Sequence, residues 1–292
     1  MLYTIGTRGS ALALAQTSTV RDALASRFPE HTFALKVIRT AGDRNQTVPL
    51  SGIGTRGVFV KEIEEALLSG AIDLAVHSMK DMPAEQPEGL TLAPCWNRED
   101  PRDALILRRA ASLDALSQGA VVGTGSLRRS VQLQALRPDL NIVGLRGNID
   151  TRLKKLESEN LDGIVLACAG LNRLGLSGHI TQRLSPDEMI PAAAQGVLAL
   201  EYACRRADVA AMLGAMADPR TDACVRAERA FLRLAGGGCF LPVGAYCEPD
   251  ENGYRLRAIY GDAEGKNVVR AEASAADPEE AARIVWERIR AQ

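Results

Sequence analysis

Residues 59–83 read FVKEIEEALLSGAIDLAVHSMKDMP, and this stretch decides the fold class. Ile63 and Leu67 lie four apart, on one face of a helix, and Gly70 marks its C-terminal end. The apolar run IDLAVHS follows at once and has the length and content of a buried strand. Met79-Lys80-Asp81-Met82-Pro83 then turns the chain. A helix that feeds directly into a buried strand is the repeating unit of an α/β sheet.

Upstream, LYTIGT (2–7) reads as a strand that ends in the turn Arg8-Gly9-Ser10. Ser10 suits the N-cap of a helix carrying Leu12, Val20, Leu24 and Phe28. The strand TFALKVIRT follows, and residues 41–57, polar and Gly-rich, are expected to form a mobile loop. Downstream the order repeats. VVGTGS leads through Leu127-Arg128-Arg129 into a helix, NIVGLRG forms a strand, and NIDTRLKKLESEN feeds DGIVLACAG. The string ALLSGAIDLAVHS (66–78) parallels KLESENLDGIVLA (155–167). Two lobes are expected, each strand–helix–strand–helix–strand with parallel pairing, around a cleft in the manner of periplasmic binding proteins. After Pro219 the pattern changes. A helix from Asp222 precedes three alternating stretches, VGAYCEP, GYRLRAIYG and NVVRAEASA, and a last helix begins with Asp277 as N-cap and Pro278 at N1. This predicts a small α+β domain with a three-stranded antiparallel sheet.

The chain has 292 residues, 46% apolar and 24% charged, which is ordinary for globular domains and leaves out disorder or collagen as the main architecture. Thirty-five Lys and Arg against 36 Asp and Glu give a net charge of −1. No global basic field exists, so a general nucleic-acid binder is not expected and any anion site must come from local arginine clustering. The opening MLYTIGTRGS lacks the charged and apolar regions of a secretory signal, and no apolar run approaches the roughly 18 residues of a membrane span. Cys95, Cys168, Cys204, Cys224, Cys239 and Cys247 form no CxxC pair, and only three histidines are present, so no metal site is expected. The cysteines read as cytosolic thiols and, by default, as small buried hydrophobes.

Arginines gather at turns and helix starts: Arg8, Arg128, Arg129, Arg146 and Arg152. Singly, each fits a surface salt bridge. At equivalent strand ends they fit a cradle for carboxylate ligands, and neither a phosphate loop nor the dinucleotide glycine spacing is present. Asp81 sits where α/β folds place ligands, with Lys80 beside it, but an Asx-turn before Pro83 accounts for it equally well. His77 reads as a satisfied core histidine. Cys239 follows three glycines, which suits either an accessible nucleophile or a buried thiol at a strand start.

Several strings together resemble the porphobilinogen deaminase family: TRGSALALAQ, the 59–83 stretch, REDPRDALI, VGTGSLRRSVQL, LRGNIDTRL, PAAAQGVLALE and GGGCFLPVGAY. They run in order from residue 7 to 246. The resemblance implies a transferase of porphyrin and haem biosynthesis that needs neither metal nor nicotinamide; a cytoplasmic location is expected from the cysteines and the missing signal, and a monomer because no long exposed apolar helix is evident. It implies three domains: 1–96 with 197–214, 97–196, and 219–292. It also implies a dipyrromethane cofactor bound covalently through Cys239. Four porphobilinogen molecules would be deaminated and joined head to tail on that primer, and hydroxymethylbilane would be released by hydrolysis. Asp81 matches the catalytic aspartate, which stabilises the azafulvene cation formed as ammonia leaves. Lys80, Thr124, Ser126, Arg128, Arg129 and Arg146 match cofactor contacts, and Arg8, Ser10, Arg152 and Gln195 match substrate contacts. The sequence departs from the pattern at Gly52 and Arg56, where bacterial members often carry lysine, and at the first glycine of Gly236-Gly237-Gly238. Two other classes compete. A two-lobed binding protein for a small carboxylate would need neither Asp81 nor Cys239. An amidotransferase-like cysteine enzyme would need a histidine partner for Cys239, and none lies nearby in sequence.

Overall fold

A computed structural model describes residues 1–40, 60–237 and 241–292. In chain order they form β1 (Leu2–Thr7), α1 (Ala11–Arg27), β2 (Thr32–Val37), α2 (Lys61–Ser69), β3 (Leu74–Ser78), β4 (Leu90–Leu92), β5 (Asp103–Leu107), β6 (Val121–Gly123), α3 (Leu127–Leu136), β7 (Asn141–Val143), α4 (Ile149–Ser158), β8 (Gly163–Ala167), α5 (Cys168–Arg173), β9 (Gln182–Leu184), β10 (Leu198–Ala203), α6 (Ala207–Gly214), α7 (Pro219–Leu234), β11 (Gly244–Asp250), β12 (Gly253–Tyr260), β13 (Val269–Ala275) and α8 (Pro278–Arg290). The loop expected over 41–57 lies outside the described residues. Two compact units result, Met1–Asn97 with Val197–Pro219, and Arg98–Gly196 with Arg220–Gln292.

The first unit holds a sheet of order β2-β1-β3-β10-β4. Leu74, Ala75 and Val76 are apolar in succession because β3 is covered on both faces. Leu74 and Val76 meet Val20 and Leu24 of α1, while Ala75 and the preceding Ile72 meet Ile63 and Leu67 of α2. Each such side chain contributes about 1.5–3 kcal/mol on full burial. Local signals fix the helix ends. Ser10 Oγ accepts from Ala13 N at 3.3 Å, and Gly70 closes α2 with φ of 76°, a conformation that costs glycine little.

The second unit holds two sheets. One has the order β7-β6-β8-β5-β9, the plan of the first unit's sheet, with Leu133 of α3 packed on one face and Leu156 of α4 on the other. The other is the antiparallel β11-β12-β13, as the three alternating stretches predict. Phe231 of α7 and Val285 and Ile289 of α8 cover it. Trp286 meets Phe231 and Tyr260 edge-on, at 6.0 and 5.3 Å between ring centres. Asp277 caps α8, accepting from Glu279 N and Glu280 N at 2.9 Å each.

Two expectations are corrected. The larger sheets are mixed rather than parallel. Parallel pairing holds for β2-β1-β3 and β7-β6-β8, whereas β10 runs antiparallel to β3 and β4, and β5 to β8 and β9. The sequence reading assigned neither β5 nor β10. Both enter their sheets from the stretches that connect the two units, without the helical crossover that imposes parallel direction. The other correction concerns the cysteines. Cys95, Cys168, Cys224 and Cys247 are buried, but Cys204, in the turn after β10, is exposed. Among the described residues no helix is long and apolar enough to cross a membrane.

Candidate active site

Parallel β1 and β3 are neighbours, so the turns that follow them lie at one end of the first sheet. Arg8 and Ser10 follow β1, and Lys80 and Asp81 follow β3. Side-chain bonds pin both turns to α1. Thr17 Oγ1 donates to Thr7 Oγ1 at 2.7 Å, and Gln16 Nε2 donates to Ser78 Oγ at 3.0 Å. Residues Met79–Asp81 form a single 3-10 turn. Met79 and Met82 are buried and anchor it, and Met79 N donates to Val197 O at 3.0 Å. Asp81, between those anchors, faces solvent. Its carboxylate has no hydrogen-bond or ion-pair partner among the described residues, so the Asx-turn reading is not realised. Lys80 and Arg8 are half-buried. His77 is the core histidine expected of it, with Nε2 at 3.1 Å from Oε2 of the fully buried Glu201.

In the second unit, β6 and β7 are parallel and end in Thr124–Ser126 and Gly144–Arg146. A Cβ on Gly125 would lie 2.6 Å from Leu145 O, so only glycine lets the two turns approach this closely. Together they line a pocket of about 310 Å³ with Thr124, Ser126, Ser130 and Arg146 at its wall. Ser126 precedes α3 without capping it through its side chain, so that helix start presents unsatisfied N–H groups. Arg146 is exposed and has no partner among the described residues. The next turn is fixed by Asn148, which caps α4 by accepting from Thr151 N, and by Arg152 Nε, which donates to Gly147 O at 2.7 Å.

Arg128 and Arg129 are buried rather than set at the surface. Both reach Asp103, which is wholly enclosed: Arg128 Nη1 to Oδ2 at 2.7 Å, and Arg129 Nη2 to Oδ1 at 2.7 Å. Burial alone would push the Asp103 carboxyl up, but the two guanidiniums outweigh it and hold it well below the usual carboxylate range. Burial, opposed by Asp103 and reinforced by Arg129, pushes the Arg128 guanidinium below its ordinary value. Gln195 is buried too, and its Nε2 donates to Asp103 Oδ1 and Pro101 O at 2.9 and 2.8 Å. Thus Arg128, Arg129 and Gln195, read from sequence as separate ligand contacts, converge on one carboxylate.

Sequence reasoning missed three buried acids. Asp103 was legible as the one charge opening the apolar run DALIL. Glu201 was legible as the acid within LALEYA. Glu228 falls in helical phase with Cys224 and Phe231, a core face. Its carboxylate receives Arg98 through two nitrogens at 2.7 and 3.1 Å, Ala194 N at 2.6 Å and Cys247 N at 2.8 Å. It thereby holds Ala194 in a left-handed conformation, φ of 59°, beside Gln195. Gly238, Cys239 and Phe240 lie outside the described residues. Before them, Gly236 and Gly237 follow α7 with φ of 81° and 57°. Among the described residues no cluster of three or more His, Cys, Asp or Glu suits a metal ion.

Comparison with known proteins matches residues 3–211 to the porphobilinogen deaminase, dipyromethane cofactor binding domain, and residues 223–290 to the porphobilinogen deaminase C-terminal domain. A porphobilinogen deaminase from Lachnospira eligens is 53% identical, over 98% of this chain and 99% of its own length. Those of Syntrophus aciditrophicus and Clostridioides difficile are 51% and 49% identical, each over 92% of this chain and over 88% and 90% of theirs. Among solved structures, the methionine binding protein MetQ is 14% identical, with TM-score 0.47 over 74% of this chain and 89% of that one. The periplasmic VFT2 domain of Bordetella pertussis BvgS is 16% identical, with TM-score 0.42 over 74% and 86%. Likenesses that slight carry no argument. The family match spans nearly the whole chain and rests on about half its residues, so this chain belongs to the porphobilinogen deaminase family.

Proposed function

We propose that this chain joins four porphobilinogen molecules head to tail into hydroxymethylbilane, with Asp81 as the catalytic carboxylate and Cys239 as the covalent attachment point of a dipyrromethane. The observation that carries the reading is the family match over residues 3–211 and 223–290. Asp81 offers an exposed carboxylate with no partner among the described residues to compete for it. Positive charge develops on a pyrrole as ammonia leaves, and a fixed carboxylate at that point stabilises it in the transition state more than in the ground state.

The second unit's pocket suits the implied cofactor. A dipyrromethane of this origin carries acetate and propionate groups. Thr124, Ser126, Arg146 and the start of α3 supply hydroxyls, a cation and N–H donors for them. Arg128 and Arg129, on the first turn of α3, add positive charge, and Lys80 is assigned to the same cofactor by the family resemblance. When bound, the group would supply the free pyrrole carbon to which the first unit is joined, and each later unit would join the one before it. Arg8, Ser10, Arg152 and Gln195 are assigned to the incoming substrate, Gln195 through the Asp103 network. The proposed functional division is into domains 1–96 with 197–214, 97–196 and 219–292, in a cytoplasmic monomer that does not bind nucleic acid.

The test is to incubate the purified protein with porphobilinogen. Ammonia should appear one for one with substrate loss, and one hydroxymethylbilane should form for every four. Absence of turnover in folded, cofactor-loaded protein would overturn the reading.

A further inference from the structure

Asp103 opens β5 and is wholly buried beside two arginines that are themselves almost wholly buried. Its Oδ1 accepts from Arg129 Nε at 3.0 Å, Arg129 Nη2 at 2.7 Å and Gln195 Nε2 at 2.9 Å. Its Oδ2 accepts from Arg128 Nη1 at 2.7 Å. The two guanidiniums are not equivalent. Arg129 also donates from Nη1 to Val165 O at 3.0 Å, so all three of its nitrogens are engaged by the protein. Arg128 uses Nη1 alone, on Asp103 and on Ile190 O at 2.6 Å. Its Nε and Nη2 have no hydrogen-bond partner among the described residues. One carboxylate also faces two cations, and a buried charge left without a counter-ion is costly. The stem of Arg128 lies against Gly244, where a Cβ would come within 3.0 Å of Arg128 Cδ. That glycine stands five residues after Cys239.

We propose that Asp103 is a positioning residue that aims the Nε–Nη2 edge of Arg128 at a carboxylate of the pyrrole ligand, with Arg129 and Gln195 serving as braces for Asp103 rather than as ligand contacts. The Nε–Nη2 edge is one of the two faces through which a guanidinium grips a carboxylate with paired hydrogen bonds. The mate for the uncompensated charge is then an acetate or propionate group, and Asp103 fixes where it is met. This inference rests on the reading of Arg128 as a carboxylate-binding residue.

The experiment follows covalent loading by intact mass when apoprotein is incubated with porphobilinogen. Asp103→Asn keeps the shape and removes the charge, Asp103→Glu keeps the charge and moves it, and Arg128→Leu removes the proposed contact. Leu256→Ala, in the core of the C-terminal sheet, serves as a control of lowered stability with the Asp103 network intact. Circular dichroism and thermal melts establish that each is folded. The expected result is loading at least tenfold slower in Asp103→Asn and slowed in Asp103→Glu, with Leu256→Ala loading at the wild-type rate. That contrast separates positioning from stability, because a merely structural role would slow the control as well. Either Asp103 variant loading at the wild-type rate while folded would overturn the proposal. So would failure of both to fold, which would make Asp103 a folding residue only. Normal loading by Arg128→Leu would instead remove the underlying reading. Failure of Arg128→Leu alongside normal Asp103→Asn would sink this inference alone.

Discussion

Asp81 and Lys80 are adjacent in sequence, yet only Asp81 is turned fully outward, because Met79 and Met82 take the buried positions of the turn. Asp81→Asn preserves that turn and removes the charge. Turnover should fall by about 10²-fold or more, a loss on the scale of one misplaced electrostatic group, with the melt unchanged. A rate within a few-fold of wild type would sink the assignment. Arg146 has no internal partner, so Arg146→Leu should leave stability within about 0.5 kcal/mol. It should weaken the hold on the cofactor by the worth of one charge-assisted contact, about 1.5–3 kcal/mol, or roughly ten- to a hundredfold in the porphobilinogen concentration needed to load apoprotein. Unchanged concentration dependence would remove Arg146 from the site. These residues were legible because turn and motif residues declare themselves locally. The engagement of Arg128 and Arg129 was not, since their counter-ion stands some 25 positions away at the start of β5.

Helix ends and the two-faced burial of β3 were readable from periodicity and capping chemistry. The directions of β5 and β10 were not, because nothing in DALIL or LALEYA encodes which neighbour each will pair with. Pairing of that kind is decided by connections between distant parts of the chain. The approach of the two turns in the second unit is likewise a long-range fact written in a single glycine. Gly125→Ala would place a methyl against the Leu145 carbonyl, at 2.6 Å. The expected loss is about 1–3 kcal/mol in urea unfolding, together with slower cofactor loading. Gly144→Ala has open space before it and should be near neutral. Equal behaviour of the two variants would show that the contact does not shape the pocket.

At the scale of the molecule, the second unit is knit by buried acids: Asp103 joins β5 to α3, and Glu228 joins α7 to Arg98, Ala194 and β11. Removing one partner of such a network costs about 3–5 kcal/mol. Asp103 has its carboxyl depressed in the folded state, so its contribution is fully present above the unfolded value near about pH 4. It is lost as pH falls from there through the folded value. The stability gap between wild type and Asp103→Asn should therefore be constant from pH 7 to 5 and narrow at pH 3. A gap that closes already between pH 7 and 5 would contradict this account of the network. The family, the three sheets and the arginine-rich turns were open to reading from the chain, whereas the convergence of Arg128, Arg129 and Gln195 on one carboxylate needed the fold. The central claim is that Cys239 carries the primer on which the product grows, and the intact mass of catalytically active protein tests it most directly. The account predicts a mass above that of the bare sequence by one dipyrromethane, retained on denaturation because a thioether does not exchange as a disulfide does, and absent, along with activity, from Cys239→Ser. Active protein with the mass of the bare sequence would contradict it.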